Sequence, residues 1–81
     1  MMNIDVNRFK FIAEVMYEVL RKEYEDKLDK QEYAMIAQRI TTANFNLIKQ
    51  LTLIEDEEEV KRKVINITRN YIKLNTASFS D

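Results

Sequence analysis

The sequence predicts an all-α protein, a small antiparallel bundle of three long helices, and three observations carry that prediction. No glycine and no proline occur in 81 residues, which removes the residues from which two-residue hairpins and tight turns are built. Apolar residues recur at helical spacing through most of the chain. Asp29 with Glu32, and Asp56 with Glu59, have the spacing of capping boxes, in which the cap oxygen takes an amide three residues on and the glutamate reaches back. The expected helices cover roughly residues 3–26, 30–53 and 56–75 of a single domain 1–81, with 76–81 a frayed polar tail.

The first helix has Asn3 or Asp5 as its N-cap and an apolar face of Phe9, Ile12, Ala13, Met16, Leu20 and Tyr24. A second ridge of Phe11, Val15 and Val19 lies beside it. A helix apolar over more than half its circumference meets two neighbours, and the expectation is that both belong to the same chain. Nine of the twelve residues from Arg21 to Glu32 are charged. A mixed run of this kind reads as a solvated helix end, so the first turn falls near Asp26 to Asp29.

The central helix carries a heptad repeat: Tyr33, Ile40, Leu47 and Ile54 at one position, Ala37, Asn44 and Leu51 at the other. Ile40, Asn44, Leu47 and Leu51 are accordingly expected to form an oligomer seam. A buried asparagine there would fix register by pairing its amide with a copy of itself. The middle of this helix is weak, because Thr41, Thr42, Asn44 and Asn46 compete with the backbone for its own hydrogen bonds. A break at Thr41-Thr42 would give four helices and a helix-turn-helix arrangement, with Asn44, Asn46, Lys49 and Gln50 heading a recognition helix, since these residue types read base edges.

The last helix follows an acidic run, Glu55 to Glu59, which suits the positive end of a helix dipole. Its stripe is Val60, Val64, Ile67, Tyr71 and Leu74, with Ile65 and Ile72 alongside. From Val60 to Asn75 there are five basic residues and no acid. Arg62, Lys63, Asn66, Arg69, Asn70 and Lys73 share a face away from the stripe and are the candidate partner-binding surface.

Composition narrows the function. Without cysteine or histidine there is no disulfide, zinc or thiolate chemistry, and no metal site or cofactor is expected. No glycine-rich phosphate loop is possible, and no catalytic constellation of carboxylates, lysines or hydroxyls stands out. An enzyme and a small-molecule substrate are therefore not expected. The net charge of −1 gives no global pull toward nucleic acid or membrane. With no apolar run long enough to span a bilayer, the expected location is the cytoplasm.

Nine isoleucines, seven asparagines and eight lysines fit an AT-rich coding sequence, as in phages and mobile elements of low-GC bacteria. The expected role is a small non-enzymatic regulator that binds a macromolecular partner, protein rather than nucleic acid, and acts as a dimer or larger homo-oligomer. A helix-turn-helix DNA-binding transcriptional regulator is the alternative.

Overall fold

A computed structural model describes residues 6–79, with side chains to residue 75. The described chain is helical without strands: α1 (Val6–Glu23), α2 (Lys30–Ala43), α3 (Phe45–Leu51) and α4 (Glu57–Phe79). The all-α class holds, but there are four helices where three were expected. The N-caps Asn3 and Asp5 and the last two tail residues lie outside the described residues. The α4 backbone continues to Phe79, past the expected end at 75.

Both ridges of α1 point inward. Ile12, Met16 and Leu20 from the first, and Val15 and Val19 from the second, are buried. α1 packs most extensively on α4 and crosses α2, so one helix supplies the floor on which the other elements meet. At the start of the pair Arg8 donates to the Glu55 carbonyl at 3.3 Å and lies 3.9 Å from the Glu57 carboxylate. At the other end Arg69 of α4 lies 3.8 Å from Glu23. These contacts set α1 and α4 running in the same direction.

α1 stops in a Schellman motif without glycine. The Asp26 amide donates to the Arg21 carbonyl at 2.9 Å and the Glu25 amide to the Lys22 carbonyl at 3.3 Å, the nested pair of bonds that closes a helix end. Glu25 and Asp26 accordingly hold positive φ of 53° and 58°. The Arg21 guanidinium reaches over the turn and donates to Asp26 Oδ1 at 2.8 Å, and that bond with the Asp26 charge raises the arginine above its ordinary pKa.

α2 opens on the expected capping box, the Glu32 amide donating to Asp29 Oδ1 at 2.8 Å and the Asp29 amide to Glu32 Oε1 at 3.0 Å. Tyr33 is buried edge-on against Tyr17, with ring centres 5.4 Å apart. The second expected capping box, Asp56 with Glu59, does not form; Asp56 caps the helix one residue earlier. Asp56 Oδ1 accepts the Glu58 amide at 3.0 Å, while Glu59 turns outward to Lys63 at 3.3 Å. An i,i+4 lysine competes for the same carboxylate and wins here.

The helix 30–53 is interrupted, not continuous, and the interruption is at Asn44, not Thr41-Thr42. Asn44 adopts φ −119° and ψ 33°, far enough from helical values to rotate the chain that follows. The core stripe changes phase there. Tyr33 and Ile40 are buried before it, Ile48 and Leu51 after it, and Leu47 is left 51 % exposed. Thr41 stays helical, its hydroxyl donating back to the Ala37 carbonyl at 2.8 Å.

On α4 the buried row is Val60, Val64, Thr68 and Ile72, an i,i+4 ridge lying against α1. Ile67 and Tyr71 are half-buried, and Leu74 is exposed. Thr68 fits this interior because its hydroxyl donates to the Val64 carbonyl at 2.8 Å, satisfying the group a core position would otherwise penalise.

Candidate functional site

Two surfaces remain once the core has taken its residues. On α4, Arg62, Lys63, Asn66, Arg69, Asn70 and Lys73 are all exposed, as the row of buried residues on the opposite side dictates. They do not form a field of one sign. Lys63 is paired with Glu59 and Arg69 with Glu23. Glu58 lines the same shallow depression as Lys61, Arg62, Asn66 and Arg69. Lys61, Arg62 and Lys73 make no ion pair among the described residues. The face thus offers three free cations interleaved with carboxylates and amides.

The expected seam is divided among three roles. Ile40 and Leu51 are core residues, buried at 0 % and 4 % exposure, with their surfaces already used inside the chain. Asn44 is half-buried, and its side-chain amide donates to the Ile40 carbonyl at 3.0 Å, completing the end of α2. Leu47 faces outward. The set that looks like one heptad seam in the sequence is therefore not one surface, because the turn of the chain at Asn44 moves Leu47 off the line of Ile40 and Leu51.

Of the candidate nucleic-acid contacts, Asn46 and Gln50 are exposed, and Asn44 and Lys49 are half-buried. α3 has seven residues, about 10 Å of helix. It follows α2 after the single residue Asn44, where a helix-turn-helix uses a turn of three to four residues.

A surface that sequence reasoning missed lies on the outside of α2 and α3. Met35, Gln38, Arg39, Thr42 and Ala43 line one shallow depression, and the chain leads from its end directly to Phe45. Met35, Phe45 and Leu53 are exposed by 51 %, 54 % and 80 %. From Tyr33 to Ile54 the only charged residues are Arg39 and Lys49, in a chain that is 33 % charged. That depletion of charge was legible, but it was absorbed into the reading of a continuous buried stripe.

Among the described residues no group of acidic side chains could hold a metal ion, and no helix is long and apolar enough to cross a membrane. Comparison with protein-family models, with curated proteins and with solved structures returns no match for this chain.

Proposed function

We propose that this is a small non-enzymatic regulator of the cytoplasm that acts by docking on a protein partner through the basic face of α4. The observation that carries the reading is the exposure of all six residues of that face, of which Arg62 and Lys73 make no ion pair among the described residues. Cations held on a rigid helix are pre-organised for a partner's carboxylates and carbonyls. A protein is favoured over nucleic acid because Glu23, Glu58 and Glu59 lie among the bases, where a phosphate backbone would be repelled and a surface of mixed sign would be matched.

The test replaces Arg62, Arg69 and Lys73 together by Glu. Cross-linking in the native host should recover a discrete protein partner with the wild type and lose it with the variant, while the far-ultraviolet circular dichroism of the two stays the same. A gel-shift series with duplex DNA runs beside it. Binding that falls steeply with salt, as phosphate contacts require, would transfer the reading to a DNA-binding regulator.

A further inference from the structure

We propose that the outer face of α2 and α3 is a second docking surface, and that its occupant is an apolar helical segment edged with carboxylates. The proposal is independent of the α4 reading, because it uses none of the same residues. Three observations point to it.

The first is apolar area that the fold leaves uncovered. Met35, Phe45 and Leu53 are more than half exposed, although the chain has charged residues to spare elsewhere. A soluble surface that concentrates Met, Phe and Arg and is depleted of acids has the composition of an interface centre, not of a solvated helix face. The second is shape. Met35 and Arg39 line one shallow depression with Gln38, Thr42 and Ala43.

The third is charge, and it selects the occupant. Arg39 and Lys49 are the only charges from Tyr33 to Ile54, and neither makes an ion pair among the described residues. They lie ten residues apart along the chain, one on α2 and one on α3. Lys49 is half-buried, as a lysine is when part of its stem packs on the protein. Two unpaired cations in an otherwise uncharged stretch with exposed apolar residues are complementary to a helix that carries carboxylates beside its own apolar stripe.

A second copy of the chain fits this face less well. Antiparallel self-pairing centred on Asn44 opposes residues equidistant from it, so Arg39 of each copy meets Lys49 of the other. Like charges set directly opposite disfavour that pairing.

The experiment uses the full chain and a synthetic helical peptide with a leucine stripe flanked by glutamates. A control peptide has lysines in their place. Amide chemical shifts of the protein locate binding, and fluorescence anisotropy measures it. The glutamate peptide should bind saturably and move the resonances of residues 34–53. The double variant Arg39→Glu, Lys49→Glu should weaken it by about tenfold, the factor that corresponds to about 1.4 kcal/mol, and should turn the preference toward the lysine peptide. Charge reversal at Arg62, Arg69 and Lys73 should leave this binding unchanged, which separates the outcome from that of the α4 face. Equal binding of both peptides, no saturation up to about 1 mM, or shifts confined to α1 and α4 would each overturn the proposal. So would concentration-dependent dimerisation of the wild type through residues 34–53, which assigns the face to a second copy.

Discussion

Glu25 and Asp26 turn the chain through the left-handed region at φ 53° and 58°, a conformation that costs a residue with a Cβ about 1–2 kcal/mol and glycine very little. The chain has no glycine to place there. The turn is held by its nested backbone bonds and by Arg21 reaching to Asp26. Glu25→Gly should therefore raise stability by about 1 kcal/mol, visible as a higher urea midpoint with an unchanged slope. A lower midpoint would mean that the Glu25 side chain contributes more than its backbone costs. The same two residues mark a limit of legibility. Without glycine the turn between α1 and α2 announces itself only as a run of charge, which locates it to within a few residues and says nothing of its geometry. Thr68 marks another. A row read by apolarity alone takes Ile67 and Leu74 into the stripe and leaves Thr68 out, whereas a threonine whose hydroxyl bonds back to its own helix can be buried with that group satisfied.

At the scale of elements, the capping box of the second helix and most of the inward face of the first are legible in the sequence, although Phe9 and Ala13 of that face are exposed and α1 ends at Glu23, before the expected 26. The central stretch is not. Its heptad is unbroken in sequence and its apolar spacing continues to Ile54, but a single residue outside helical dihedrals is enough to exchange Leu47 for Ile48 as the inward side chain. Periodicity records which residues are apolar, and a change of phase by one position falls within its tolerance when two apolar residues are adjacent. The structure predicts opposite costs for these neighbours. Ile48→Ala should lose about 2–4 kcal/mol and Leu47→Ala less than about 0.5 kcal/mol, read by thermal unfolding. Equal losses at both positions would indicate a continuous helix with the seam intact. The basic face of α4 was legible as a face but not as a mixed surface, since the acids that interrupt it, Glu23 from α1 and Glu58 and Glu59 from the first turn, come from outside the stretch that defines it.

The whole molecule draws its stability from a short list of buried side chains, with no cysteine to form a disulfide. A domain of 81 residues is expected to be stable by roughly 4–12 kcal/mol. Leu20, fully buried on the first ridge of α1, should cost about 2–5 kcal/mol when cut to Ala. The expected outcome is a protein near its folding threshold, seen as loss of the sigmoidal urea transition or a midpoint shifted by more than about 1 M. Loss of under 1 kcal/mol would mean that neighbouring side chains close the cavity. The ion pairs between α1 and α4 each have at least one well-exposed partner and contribute little to this total; they fix direction more than strength.

That direction has a mechanical consequence. Because α1 and α4 start side by side and run the same way, the described chain begins at one end of a body 45 Å long and leaves α4 toward the other, after 23 residues of helix, about 33 Å. A pull applied to the two ends therefore slides α4 along α1 and loads all of their packing at once, where a hairpin with adjacent ends would peel open one contact at a time. Attached bodies at the two ends would be held apart by a rigid strut, and tension between them would be carried by the same buried row of Val60, Val64, Thr68 and Ile72 that sets the fold.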